Sequence, residues 1–401
     1  MAAELFRTTI LENTFPDTTW QQMFQNVSSE VDFWDYMVNV IPTFLFKDDV
    51  GDKNYVYQVN RMVQPTRIRQ VRVVSEPPAA CPVPVPPRLR KFISACYPAA
   101  GPGAVDTAPI PGWPPGASIP YRTGAELGTA RSWLGVFPYD GGGHTADIPL
   151  NATSSDVVAR LRHWRAARWT DRHTRAVVVN FVVYNPVNRF FLSATLLFEF
   201  LPYGRVLPTH SFRVMRLGLT GRADYAALAL DSVVCVGFLL LAARDAAQLI
   251  RLGPRNYSHD PWRAVNWAVF AIFLVGLAFK FQFLLPAFRV AATPAAAAGF
   301  VDFEALGWTA SQLWNWTSFS SVLLWLRALG YVRLTTDRVA GQLHAVLGSA
   351  LRCGAAFAVL SLLVLAFGLA LHLAFGADLP SQRSPQARAA PPSPSTDGNH
   401  A

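Results

Sequence analysis

Charge is scarce in this chain. Asp, Glu, Lys and Arg make up 15% of 401 residues, 51% are apolar and the mean hydropathy is positive, whereas a soluble domain carries about a quarter charged residues. That balance excludes an ordinary water-soluble globule and points to a membrane. Lysine is scarcer still: of 35 basic residues only Lys47, Lys53, Lys91 and Lys280 are lysines. The net charge of +9 comes from arginines scattered through an Ala- and Pro-rich background, with no basic run of the kind that marks a nucleic-acid tail. Cysteine numbers four, and no Cys or His spacing matches a zinc site. His144, His163, His173 and His210 read as surface groups. Gly141-Gly142-Gly143-His144 has no Gly-x-Ser-x-Gly elbow to accompany it, so it reads as a flexible hairpin tip and no catalytic constellation stands out.

Four apolar runs come near the roughly 20 residues a helix needs to cross a bilayer: 225–243, 264–285, 318–332 and 355–375. The third is short and carries Arg327. Runs such as AAFAVLSLLVLAFGLALHLAF have no polar face to give to water. Arg244, Arg251, Arg255 and Arg263 lie between the first two runs, and Arg333, Arg338 and Arg352 between the last two, while 286–317 holds Arg289 against Asp302 and Glu304. The positive-inside rule makes the Arg-rich loops cytosolic and residues 1 to 222 lumenal or extracellular. MAAELFRTTILENTF has no signal-peptide core, so a further helix is expected upstream. The expected organisation is an outer domain at 1–222, a transmembrane region at 223–378 and a disordered Ser- and Pro-rich tail at 379–401.

The outer domain reads as α+β, followed by an α-helical transmembrane bundle with four predicted spans. Ser154-Ser155-Asp156 offers an N-cap to a helix whose stripe is Val157, Leu161, Trp164 and Arg168. Val177, Val179, Phe181 and Val183 alternate with Val178, Asn180, Val182 and Tyr184, and Phe191 to Phe200 is equally rich in β-formers. Asn185-Pro186-Val187-Asn188 supplies the turn of an antiparallel hairpin.

WTDRHTRAVVVNFVVYNPVNRFFLSATLLFEF (169–200) resembles the signature of the polycystins, cation channels of the transient receptor potential superfamily. Phe33-Trp34-Asp35-Tyr36, TRIRQVRV (66–73), Cys81, Cys96-Tyr97, 133–150 and Trp325-Leu326-Arg327 resemble further family blocks in the family's order, so the likeness runs from about residue 30 to 378. The family's first helix, pore helix, selectivity filter and sixth helix have no counterpart in these residues, and the 401 residues alone are expected to give no cation current.

The resemblance implies a subunit of a calcium-permeable cation channel and not an enzyme. The outer domain would assemble a homo- or heterotetramer with other polycystin subunits in membrane lipid; the alternative is a non-conducting adhesion, assembly or regulatory partner. Cys81 and Cys96 fall where the family pairs cysteines, two free thiols being the alternative. Cys235 and Cys353 read as small apolar fillers. Asp231 aligns with a second-helix Glu and Asn266 with a third-helix Asp of related channels, so the two could share a calcium ion; the other reading is an Asp231 to Arg327 charge pair. A single Arg327 argues against strong voltage sensitivity. Of the sequons at Asn26, Asn151, Asn256 and Asn315, the topology exposes Asn26 and Asn151 to glycosylation, leaves Asn256 cytosolic and sets Asn315 close to the membrane.

Overall fold

The computed structural model describes residues 10–12, 23–46, 55–56, 59–77, 81, 86–101, 103–132, 134–217, 222–257, 261–292 and 300–332, with single positions at 349, 354, 360, 361 and 364. The chain divides into two compact units, one of 1–257 with 267–320 and one of 258–266 with 321–401.

In chain order the first unit begins with helix α1 (Glu30–Leu45), strands β1 (Tyr55–Val56), β2 (Asn60–Met62), β3 (Thr66–Arg72), β4 (Ile110–Pro111), β5 (Ser118–Ile119) and β6 (Tyr121–Arg122) and a one-turn helix α2 (Gly124–Leu127). There follow β7 (Gly143–Ile148), α3 (Ser154–Ala166), β8 (Thr174–Asn185), β9 (Phe190–Phe200) and β10 (Val206–Met215). Three long helices complete the described elements: α4 (Arg222–Tyr257), α5 (Pro261–Ala292) and α6 (Phe303–Val332).

Local chemistry sets the helix starts. Ser29 caps α1 and Asp32 returns the bond, a capping box that satisfies two orphan amides. Thr153 and Asp156 do the same for α3, one residue before the cap expected at Ser154. Val157, Leu161 and Trp164 are its buried stripe, but Arg168 lies past the helix end at φ +53 and does not belong to it.

Among the described residues eight strands form one antiparallel sheet, in which β10 pairs β9, β9 pairs β8, β8 pairs β3 and β2, and β7 joins β3 to β6. The β8–β9 hairpin is in register from Ala176 opposite Glu199 to Asn185 opposite Phe190. Its turn is held by Asn185, whose Oδ1 accepts from the amides of Val187 and Asn188 at 3.0 and 3.1 Å, and Arg189 takes the left-handed conformation that closes it.

Because side chains alternate along a strand, this register sorts them onto two faces. Ile68, Val177, Val179, Phe181, Val183, Leu192, Ala194, Leu196 and Phe198 form one, roofed by α1 and α3 through Phe33, Tyr36, Leu161 and Trp164. Phe33, Tyr36 and Phe24 all set their rings against Phe198. The opposite face carries Arg67, Arg69, Asn180, Thr195 and Glu199. It is buried too.

Of the four expected spans, two coincide with helices long and apolar enough to cross a membrane, Tyr225–Gly253 of α4 and Val265–Phe288 of α5, with almost none of their surface covered by protein. The first ends where Gly253, at φ +74, breaks the helix. The expected third span is the second half of α6, and the fourth, 355–375, lies outside the described residues apart from single positions. The fold is therefore a β-rich N-terminal domain, the expected outer domain, followed by helices, two of them membrane-length.

Candidate functional site

Buried arginines hold this face together, each guanidinium being hydrogen-bonded to carboxylates or carbonyls, as buried charge requires. Arg67 forks onto Asp147 with bonds of 2.7 and 2.8 Å. Arg69, fully buried, donates to the carbonyls of Asp140 and of Gly142, the latter at 3.0 Å; burial pulls its pKa down, while Glu304, Asp302 and Asp140 work against that. Glu199 is equally buried and accepts from the Val136 amide at 2.9 Å, the Phe137 amide at 3.2 Å and the Tyr139 hydroxyl at 2.9 Å. Burial and the Glu199 charge drive the Tyr139 pKa far upward, so the phenol stays a donor.

Glycines let the backbone close over these charges. A Cβ at Gly135 would lie 2.5 Å from the Glu199 carboxylate, and one at Gly141 only 1.8 Å from the Thr129 carbonyl oxygen. The Gly-Gly-Gly-His run is thus packed, not a flexible tip. His144 is likewise no surface group: it is fully buried in β7, with Nε2 2.8 Å from the Ala108 carbonyl.

Onto this face docks the connector between α5 and α6. Phe300 lies under the Arg67 guanidinium at 3.7 Å, and the Val301 amide donates to Gln64 at 3.2 Å. Asp302 accepts from the Ala130 amide at 2.7 Å through one oxygen and caps α6 through the other, which takes the Glu304 and Ala305 amides. Glu304 accepts from Ser132 at 3.2 Å and Thr195 at 3.3 Å. Burial and the neighbouring Asp302 carboxylate raise the Glu304 pKa, against the pull of Ser132, Arg69 and Asn180. Arg213 of β10 donates to the Gly307 carbonyl and to Ser311 at 3.3 and 3.0 Å. Val182, Met215, Leu217, Ala287, Phe303 and Leu306 form an apolar cluster beside it. The arrangement is a joint that ties the start of a long helix to the sheet.

The sheet end beyond Arg72 carries the cysteines. Cys81 and Cys96 are joined by a disulfide, and Glu76 and Cys96 bond both ways through their backbones at 2.9 Å. Arg175 gathers the following segment by donating to the carbonyls of Tyr97 and Pro98, each at 2.8 Å. Arg72 bridges Asp106 at 3.2 Å and Asp171 at 2.8 Å. Although burial works upward on Asp106, the Ala108 amide and Arg72 bring its pKa below the ordinary aspartate value.

Asn26 ends a short 3₁₀ turn and Asn151 sits in the turn before α3, both exposed. Asn315 is exposed on α6, and Asn256 has no described side chain. Asp231 pairs with Lys280 of α5, one of the four lysines but not the partner expected for it. Its signal was present: one lysine in an apolar helix costs as much as one aspartate and needs the same kind of partner. Arg327 has no described side chain, and Asn266 sits in the first turns of α5, in the second unit. Among the described residues no group of three or more His, Cys, Asp or Glu is placed to hold a metal ion.

Comparison with known families gives two matches that share a name. The polycystin domain covers residues 23–218 and the polycystin cation channel covers 222–384. Polycystin-2-like protein 1 of Homo sapiens is 24% identical over 364 residues, 88% of this chain and 44% of its own length. Polycystin-2 of Danio rerio is 26% identical over 279 residues, 67% of this chain and 30% of its own length. Polycystin-1 of Homo sapiens is 26% identical over 269 residues, 66% of this chain and 6% of its own length. The chain thus spans less than half of each of these relatives. The second match is to a family of cation channels, not of enzymes. With a β-rich outer domain docked on a helical connector and two membrane-length helices, the chain is a membrane protein that belongs to the polycystin family.

Proposed function

We propose that the chain is a subunit of a polycystin-type, calcium-permeable cation channel, and that its outer domain assembles it with other polycystin subunits into a tetramer. The observation that carries this reading is the joint just described. The region matching the channel begins in helices whose connector is bound to the outer domain by Arg67, Asp302, Glu304 and Arg213, so contacts made by that domain reach the helix bundle directly. The same contacts hold the 300–307 connector against the 23–217 domain, and a shared side for the two is what the arginine loops lead us to expect. Glycan occupancy tests that sidedness: endoglycosidase should shift the mobility of the membrane-inserted protein through Asn26 and Asn151, and a shift traced to Asn256 would invert it.

Co-expression with a full-length polycystin-2-like subunit tests the assembly. Single-molecule photobleaching should count four subunits in particles that contain this chain, and the cation current should change with its dose. Absence of common particles would remove the channel-subunit reading. Common particles with no calcium permeability of their own would move the conclusion to the regulatory or assembly partner. Calcium at Asp231 and Asn266 is a proposal of the same kind: such an ion would compete with the Lys280 ammonium for the Asp231 carboxylate.

A further inference from the structure

We propose that Glu304 is a proton-operated latch that holds the 300–307 connector on the charged face of the outer domain and tightens as the outer side acidifies. The geometry singles out this carboxyl. Buried, it accepts from Ser132 of the loop before β7, Thr195 of β9 and Asn180 of β8, while Arg69 of β3, Arg213 of β10 and Asp302 on its own segment act on it electrostatically. Among the described residues its hydrogen-bond partners are hydroxyls and an amide rather than a guanidinium. Arg69 spends its own bonds on Asp140 and Gly142, and Arg213 spends its on Gly307 and the Ser211 and Ser311 hydroxyls.

An ionised Glu304 therefore has Asp302 beside it and, among the described residues, no guanidinium bonded to it, Arg69 and Arg213 acting only electrostatically. A neutral one relieves that repulsion and becomes a donor to Ser132 or Thr195, each of which has an oxygen able to accept. The direction follows from linkage. The docked connector binds this proton more tightly than a released one, since burial and Asp302 raise the docked pKa. The added stability is complete below the ordinary glutamate value and is lost as pH rises through the raised one.

Asp302 anchors the other half of the joint to Ala130. Release at Glu304 would free the start of α6 while leaving the sheet intact. The proposal does not depend on conduction or assembly, so its failure and that of the channel reading are distinguishable.

Hydrogen–deuterium exchange on the full chain in lipid nanodiscs between pH 5 and 8 tests it, read as protection factors, which remove the intrinsic pH dependence of exchange. Peptides covering 300–307 should lose about tenfold protection on going from pH 5 to 8, while β8 and β9 stay protected. Glu304→Gln should flatten the profile at the acid level. A flat wild-type profile, or an undiminished slope in E304Q, overturns the latch. Asp302→Asn supplies a second arm if E304Q fails to fold: removing that charge should move the transition to lower pH, and an unmoved transition overturns the proposal as well.

Discussion

The two faces of the sheet are both largely buried, and they are built by different means. On the face under α1 and α3, ring meets ring and the contacts are non-directional, so Phe33, Tyr36 and Phe198 cohere by the area they remove from water. On the face under the connector, Arg67, Arg69 and Glu199 are buried with partners fixed at particular oxygens and amides. Such a face gains little net stability from being charged. What recognises the connector is the set of groups left to meet it: the Ala130 amide and the Ser132 and Thr195 hydroxyls donate to Asp302 and Glu304, and Arg213 donates to Gly307 and Ser311. These bonds are directional, whereas an apolar face accepts many shapes.

Adjacent residues Phe198 and Glu199 point to opposite faces and give the largest test. Phe198→Ala should lower the stability of the whole outer domain by about 3–5 kcal/mol, the usual loss for a buried ring, and protection should fall on both faces together. Glu199→Ala should lose about 3 kcal/mol, because it strands two amides and a phenol, and the loss should concentrate in 134–143. Equal loosening of α1 in both variants, by hydrogen exchange, would show that the two faces are not separable.

A covalent tie and a steric one come next. The Cys81–Cys96 bridge closes a loop of 15 residues, and Cys81→Ser should lower thermal stability by about 3 kcal/mol in the chain-entropy model. Non-reduced peptide mapping should recover the linked pair, and two alkylatable thiols in folded protein would contradict the bridge. Gly141→Ala should cost about 2 kcal/mol through overpacking against the Thr129 carbonyl. Gly103, with nothing within 4 Å of an added Cβ, is the control and should tolerate the same change.

Which face was legible follows from the range of its signals. The apolar face could be read because its pattern is local: Val177, Val179, Phe181 and Val183 announce themselves by alternation, and Asn185-Pro186 announces the turn. The charged face has no local pattern. Arg67 finds Asp147 80 positions away and Thr195 finds Glu304 109 positions away, and nothing in TRIRQVR alone says whether its arginines face water or a carboxylate. The Gly141–His144 run misled for a related reason, since glycines that permit a close backbone approach look the same in sequence as glycines that permit motion. Strand β10 was missed because Val206–Met215 mixes Pro208, His210, Ser211 and Arg213 into its alternation, as fits a strand only half covered.

The smallest expected effect concerns charge placed neither on a face of the sheet nor in water. Asp231 and Lys280 meet on two apolar helices, each with a partner that resembles the outer domain's ion pairs in chemistry but not in saturation. Removing one should leave the other alone in an apolar setting, which is costly, while removing both relieves that cost. Asp231→Asn and Lys280→Gln, singly and together, should therefore show a coupling on the order of 1 kcal/mol in nanodisc thermal unfolding, as polar pairs between membrane helices do. Asp231→Asn with Arg327→Gln should be additive if Lys280 is the partner that matters. Coupling to Arg327 with additivity at Lys280 would reverse that assignment. It would also show that charge within the helices is arranged by the Asp231 to Arg327 pairing offered by the sequence rather than by the contact between α4 and α5.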